Sequence, residues 1–284
     1  MEQALAVDVG GTKLAVGVVD RSGRVAWSKA VPTPAGGTAE DVWSALADLV
    51  RRAPASEAVV CGVGCGGPME PGGESVSPLN IPAWSGFPLR SRLAGLTGLP
   101  TWVDNDAKAL ALGEGWVGAA SSSSDYMAMV VSTGVGGGIV LGGRLLDGRT
   151  GNAGHVGHVV VVPGGRRCVC GARGCLEAEA SGTAIAASTG LPAAAAGPGV
   201  VARTGALVGR AVGSVANLLD LDLAVVAGSV ALGFGEPFFA AARESLGATA
   251  RLSFSRGCRI EPSPLGPAAP LVGAAAVGWR GAGR

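Results

Sequence analysis

Two short strands joined by a glycine loop occur twice in this chain, and that recurrence constrains the fold more than any other feature. Residues 5–9 and 14–19 are β-branched runs separated by Gly10-Gly11-Thr12-Lys13. Residues 126–132 and 138–141 flank a second loop, Thr133-Gly134-Val135-Gly136-Gly137-Gly138. A dinucleotide fingerprint or a Walker loop leads from a strand into a helix, whereas both loops here lead from strand to strand. Such a hairpin still offers backbone N–H groups, Thr12 and Lys13 to phosphate oxygens, and Asp8 to a hydrated magnesium ion. Taken alone, the first loop reads equally as an ordinary tight turn. The second loop shifts the balance toward phosphate binding.

The elements around the loops alternate in type. A strand over 24–28 follows the Ser22-Gly23 turn, so the N-terminus reads as an antiparallel meander. Val42, Trp43, Leu46, Leu49 and Val50 predict a helix over 40–51, followed by a strand over 58–63. Residues 66–88 contain Gly66-Gly67-Pro68 and Asn80-Ile-Pro-Ala-Trp84 and form a loop too long to be a mere connection. A helix over 89–97 and a strand over 101–103 lead into Asp104-Asn105-Asp106 and a helix over 107–116. The low-complexity stretch 192–198 reads as a mobile loop. A helix over 200–219, a strand over 223–226 closed by Gly228-Ser229, and an Ala-rich helix over 273–279 complete the chain.

At 284 residues and 48% apolar the chain has enough core for two modest domains. Its 22 basic and 21 acidic side chains leave a net charge of +1, so the electrostatic footprint of a nucleic-acid binder is missing. The N-terminus runs into its first strand with no secretory pattern, which predicts a cytoplasmic protein. The best apolar stretch, 218–234, is interrupted by Asp220, Asp222 and two glycines, and a membrane span is not expected.

The most specific chemical signal is His158 with Cys168, Cys170 and Cys175, spaced ten, two and five apart. One imidazole and three thiolates complete a closed tetrahedral zinc shell; the competing reading is a set of free loop thiols. Cys61, Cys65 and Cys258 read as buried thiols. Asp106, at a strand end beside Asn105, is placed to accept a proton from an oxygen nucleophile, and equally to form an Asx turn or a helix N-cap. The two roles are compatible. Asp104 is expected to point away as a surface residue.

The quoted motifs, Asp8-Val-Gly-Gly-Thr-Lys13, Val103-Asp-Asn-Asp106, Ser132-Thr-Gly-Val-Gly-Gly-Gly138 and Gly154-His-Val-Gly-His158 through Cys168-Val-Cys-Gly-Ala-Arg-Gly-Cys-Leu-Glu177, resemble the motif series of the ROK family of sugar kinases and repressors. The resemblance implies an α/β fold of two ribonuclease-H-like domains, as in actin, hexokinase and the heat-shock ATPases, with an active-site cleft between them. The expected domains are 1–104 with 271–284, and 105–270 carrying the zinc. It further implies ATP with Mg2+, held by Asp8, Gly10, Gly11, Thr12, Lys13, Thr133, Gly134, Gly136, Gly228 and Ser229. The sugar would be held by Gly66, Gly67, Asn80, Asn105, His155, His158 and Glu177, with Asp106 taking the proton of its 6-hydroxyl. Zinc on His158, Cys168, Cys170 and Cys175 would be structural, and the chain a homodimer or dimer of dimers.

One departure bears on the substrate. Most ROK glucokinases carry Glu-X-Gly-His where this chain has His155-Val-Gly-His158, and His at that position is similar to bacterial N-acetylmannosamine kinases. A carboxylate accepts two hydroxyl hydrogen bonds, while a neutral imidazole accepts one and donates one, so selection at the sugar changes. Asn80-Ile-Pro-Ala-Trp84 also resembles the loop over the sugar in glucose-phosphorylating members. The expected substrate is therefore a hexose or N-acetylhexosamine, N-acetylmannosamine or glucose first, with another amino sugar such as kanosamine open. A non-catalytic sugar-binding regulator is the alternative. Repressors of the family add an N-terminal helix-turn-helix, for which the early Asp8 loop leaves no room.

Overall fold

The computed structural model describes residues 2–283. The chain begins with β1 (Gln3–Val9), β2 (Lys13–Asp20), β3 (Val25–Pro32), α1 (Ala39–Arg51) and β4 (Ala58–Cys65). Next come α2 (Leu89–Thr97), β5 (Thr101–Asn105) and α3 (Asp106–Val117), then β6 (Tyr126–Val131), β7 (Val135–Leu141) and β8 (Arg144–Leu145). The second half holds α4 (Leu176–Ala180), α5 (Gly182–Thr189), α6 (Pro198–Leu219), β9 (Leu223–Ala227) and α7 (Ser229–Phe234). It closes with α8 (Glu236–Thr249), β10 (Arg259–Pro262) and α9 (Ala269–Gly281).

The strands form two sheets, ordered β3-β2-β1-β4-β5 and β8-β7-β6-β9-β10. In each, three strands make an antiparallel meander and two more add in parallel. One five-strand plan is thus used twice, the α/β arrangement that the paired glycine hairpins imply. The two hairpins occupy equivalent places, each joining the central strand of a sheet to its antiparallel neighbour.

The chain divides into two compact units. The first contains residues up to Gly118, Asp147–Ala153 and those from Leu265 onward; the second contains Ala119–Leu146 and Gly154–Pro264. These bounds differ from the expected breaks at 104/105 and 270/271. Helix α3 stays with the first unit because it meets α9 backbone to backbone: a Cβ on Gly273 would lie 2.6 Å from the Ala109 carbonyl oxygen. The short segment 147–153 also returns to the first unit.

In the first unit β1 alternates between two cores. Leu5, Val7 and Val9 join Leu46, Leu49, Leu89 and Leu93, while Ala4 and Ala6 face Leu271, Ala274 and Ala275 of α9. Small residues on the second face let α9 lie close on the sheet. The long loop 66–88 is anchored by Trp84. That residue is 1% exposed, donates its indole N–H to the Ala39 carbonyl at 3.1 Å and stacks on Phe87 at 4.2 Å.

In the second unit Met127, Met129 and Val131 of β6 share a core with Val208, Val212, Phe238 and Leu246 of α6 and α8. The 192–198 stretch, expected as a mobile loop, forms a 3-10 turn over Ala193–Ala195, and Ala193 and Ala196 pack on that core. Gly136, Gly137 and Gly138 belong to β7 and pair with Val130, Met129 and Ala128, so the second glycine loop shrinks to 132–134. The strand takes no side chain at Gly137, where a Cβ would meet Val156 at 2.6 Å. No helix among the described residues is long and apolar enough to cross a membrane.

Candidate active site and metal centre

Parallel register brings the carboxyl ends of three strands level. Val9 pairs with Cys65, and Cys65 with Asn105, so the segments that follow β1, β4 and β5 leave the sheet at one edge. Such an edge is where open α/β sheets collect ligands. Gly10 and Gly11 follow β1, Gly66 and Gly67 follow β4, and Asp106 follows β5. The Gly10 N–H donates to the Lys13 carbonyl at 3.0 Å, and Thr33 braces the turn by donating its hydroxyl to the Gly10 carbonyl at 2.6 Å. Thr12 and Lys13 are exposed at its tip.

Asn80 comes to the same edge from the long loop. Its amide lies against the backbone of Gly11 and Gly66: a Cβ on Gly11 would be 2.9 Å from Nδ2, and one on Gly66 would be 3.3 Å from Oδ1. A side chain at Gly11 would displace Asn80, and one at Gly66 would press on it. Asn105 caps α3, its Oδ1 accepting the N–H groups of Ala107 at 3.0 Å and Lys108 at 3.3 Å, while its Nδ2 faces Gly67. Asp106 is the first residue of α3 and is exposed, and its Oδ1 accepts the Ala107 N–H at 2.8 Å. The helix N-cap expected at Asp106 is thus supplied by Asn105, and Asp106 follows it as the first residue of the helix.

Asp8 is 8% exposed, at the β1 position beside Gly64. Burial pushes its carboxyl up to about 7, the Asp106 charge adds to the rise, and Lys13 opposes it. Cys65 is fully buried, and burial together with Asp106 and Asp8 raises its thiol well above the usual range. Its thiolate is therefore suppressed. The two carboxylates at this edge raise the affinity of Asp8 for a proton or another positive charge.

Asp104 corrects its expected surface position. It is half-buried and pairs with Lys108 at 3.1 Å and Arg280 at 3.6 Å. Lys108 is 3% exposed and also reaches Asp147 at 2.6 Å. Burial raises the Asp147 carboxyl, but Lys108 and Arg280 outweigh it and hold the group below its ordinary value. Sequence reasoning missed this group; its one legible signal was the Asp104–Lys108 spacing of four at a helix start.

In the second unit the hairpin 132–134 closes through the Ser132 N–H and the Gly134 carbonyl at 2.9 Å. The Thr133 carbonyl accepts the Thr183 hydroxyl at 2.9 Å, and Ser132 and Ser229 meet through their hydroxyls at 2.9 Å. Gly228, at φ +102°, backs onto Val131, where a Cβ would collide with the main chain. Thr133, Gly134, Gly228 and Ser229 are therefore brought together, while Gly136 lies one step into β7. Glu177 on α4 accepts the Val135 N–H on Oε2 at 3.0 Å, and a Cβ on Gly134 would stand 2.8 Å from that oxygen.

His158, Cys168, Cys170 and Cys175 present four ligand atoms within 4.8 Å of one another. His158 Nδ1 is 3.6 Å from Cys168 Sγ, and Cys170 Sγ is 3.7 Å from Cys175 Sγ. Metal–sulfur bonds of about 2.3 Å in a tetrahedron require edges of roughly 3.8 Å, so the donor set fits zinc. His155 stands outside the cluster, exposed, with its ring 6.0 Å from that of His158. Leu176 donates its N–H to the Val159 carbonyl, which ties the His158 segment to α4. Glu179, also missed in the sequence, is 3% exposed; it accepts the Arg166 N–H at 2.7 Å and pairs with Arg203 at 2.6 Å. Cys61, Cys65 and Cys258 are buried as expected.

The model of the ROK family matches residues 4–279. An N-acetylmannosamine kinase of Citrobacter koseri is 39% identical over 246 residues, 81% of this chain and 84% of that protein. A glucokinase of Thermotoga maritima is 41% identical over 184 residues, 64% of this chain and 58% of its own length. The solved structure of a ROK family glucokinase from Streptomyces griseus, in complex with glucose and AMPPNP, matches with a TM-score of 0.85 at 31% identity, over 98% of this chain and 99% of that one. With four ordered motifs, a twice-used sheet plan and a cluster of one histidine and three cysteines in place, the chain belongs to the ROK family.

Proposed function

We propose that this protein is an ATP-dependent kinase that phosphorylates the 6-hydroxyl of a hexose or N-acetylhexosamine, with N-acetylmannosamine and glucose the first candidates. The observation that carries the reading is the level edge of the first sheet, where Asp8, the Gly10-Gly11 turn, Asn80, Asn105 and Asp106 assemble. Asp106 accepts the proton of the attacking hydroxyl, and Asn80, Asn105 and the narrow Gly66-Gly67 backbone hold the sugar. Phosphoryl transfer needs little else from protein side chains than positioning and charge.

Asp8 would hold the hydrated magnesium ion of Mg-ATP, whose charge would offset that of the phosphates. Gly10, Gly11, Thr12 and Lys13 supply donors to the phosphates, with Thr133, Gly134, Gly136, Gly228 and Ser229 serving the nucleotide from the second unit. His158, Cys168, Cys170 and Cys175 would hold a structural zinc ion that fixes the fold of the segment between them. With Nδ1 turned to the thiols, His158 keeps its other ring nitrogen for a sugar hydroxyl, beside His155 and Glu177.

The test is ADP release by zinc-replete protein with Mg-ATP against glucose, N-acetylmannosamine, N-acetylglucosamine, mannose and kanosamine. Preference for N-acetylmannosamine supports His155 as the selecting residue, and preference for glucose shows that imidazole serves where a carboxylate is usual. Sugar binding without turnover on any of them would overturn the kinase reading.

A further inference from the structure

Lys108 sits on α3 two residues after Asp106, yet its side chain turns to another part of the chain. Its ammonium donates to Asp147 Oδ1 at 2.6 Å and to the Gly151 carbonyl at 3.1 Å, and it lies 3.1 Å from Asp104 Oδ1. The ammonium thus makes two hydrogen bonds and one further ion pair. Arg280 of α9 closes a ring of alternating charge, 3.1 Å from Asp147 Oδ2 and 3.6 Å from Asp104 Oδ2. The four charges cancel.

Asp147 and Gly151 lie on the segment Asp147–Ala153, which leaves the second unit after Leu146, belongs to the first, and re-enters the second at Gly154 directly before His155. Its ends are tied by the Ala153 N–H on the Asp147 carbonyl at 3.0 Å. Residues 147–150 are exposed, and the segment lines a cavity of about 490 Å³ together with Trp102, Leu112 and Pro71. Gly148 and Gly151 both adopt positive φ, so its backbone takes a course that a side chain would oppose. The charge ring and the bond to Gly151 tie the segment to α3 and α9.

We infer that Lys108 is a positioning residue for the sugar: held to Asp104 and Arg280, it latches the 147–153 segment and so sets the stretch that carries His155. This rests on the sugar-kinase reading for its kinetic consequence, but the latch can be tested without it. Arg149 is exposed within the segment and offers a tryptic site. Asp147→Asn removes one charge at an exposed position, where the fold should survive, and unchanged zinc content checks that it does. Asp147→Glu keeps the charge and can still reach Lys108.

Expected for Asp147→Asn is cleavage after Arg149 at least about fivefold faster than in the wild type, with near wild-type cleavage in Asp147→Glu. On the preferred sugar its KM should rise about threefold to tenfold, while kcat and the KM for ATP stay within about twofold. Faster cleavage with an unchanged sugar KM would overturn the positioning role, and unchanged cleavage would overturn the latch itself. If the wild type phosphorylates no sugar, the kinase reading fails while the cleavage comparison still decides the latch.

Discussion

Asp106 and Asp8 share one sheet edge but sit in opposite environments, and their substitutions should separate. Asp106 is exposed at the start of α3, so Asp106→Asn alters little packing and gives up only a favourable helix-end charge, about 0.5 kcal/mol. A positioned general base contributes roughly 10²–10⁴-fold, so sugar turnover should fall by about that factor with zinc content and sugar affinity kept. Near-normal turnover would remove Asp106 from the role. Asp8 is buried with its carboxyl raised to about 7, so between pH 3.8 and 7 the folded protein holds a proton that the unfolded chain has released. Stability in magnesium-free buffer should therefore fall as pH rises through that window, by at most about 4 kcal/mol for a shift of this size, and level off above it. Asp8→Asn should remove this contribution. Identical pH slopes in thermal melts of the two proteins would show that Asp8 does not titrate as argued. Both carboxylates stood out in the sequence because each adjoins a motif, but Asp104 was misjudged: two of its ring partners, Asp147 and Arg280, come from distant segments that local reading cannot bring together.

At the scale of elements, the proposed metal loop would be held at its tip by its ligands. Between His158 and Cys175 the chain forms isolated bridges, Val160 with Cys175 and Arg167 with Arg173; Val161 joins the second unit's core, while Val169, between two of the cysteines, is exposed. Removing the metal with a strong chelator should leave both sheets intact in far-UV circular dichroism. It should open the loop to trypsin at Arg166, Arg167 and Arg173, and weaken sugar turnover until zinc is restored. Unchanged turnover after verified zinc loss would end the structural role. This element was legible because ligand spacing is a local property. Helix α8 and strand β10 were not: α8 packs against Gly205, Gly209 and Gly213 of α6, a contact made by the absence of side chains. Strand β10 is four residues long and ends in proline. The second glycine loop was overread for a related reason, since Gly136–Gly138 looks like a turn in sequence while close approach of Val156 and Gly154 requires small residues within a strand.

For the whole molecule, the repeated hairpins announced two like sheets, but the course of the chain through them follows from contacts that no window reveals. The first unit is assembled from three separate stretches and is completed by α9. Gly62 of β4 and Gly278 of α9 meet main chain to main chain, and Leu271, Ala274, Ala275 and Trp279 fill the core against β1. The second unit uses only Ala119–Leu146 and Gly154–Pro264. A chain ending after Pro264 thus loses one wall of the first core while retaining every residue of the second. It should bind one zinc ion with near-normal affinity and show the cooperative melting of the second unit. The first unit, with α9's buried side chains gone and Ala4, Ala6 and Val60 opened to water, should melt far lower or not fold. Calorimetry of full-length and truncated protein, with zinc quantified in each, makes the comparison. Phosphorylation of sugar by the truncated chain would show that the first sheet holds its ligand edge without α9, and the dependence argued from the glycine contacts would then be wrong.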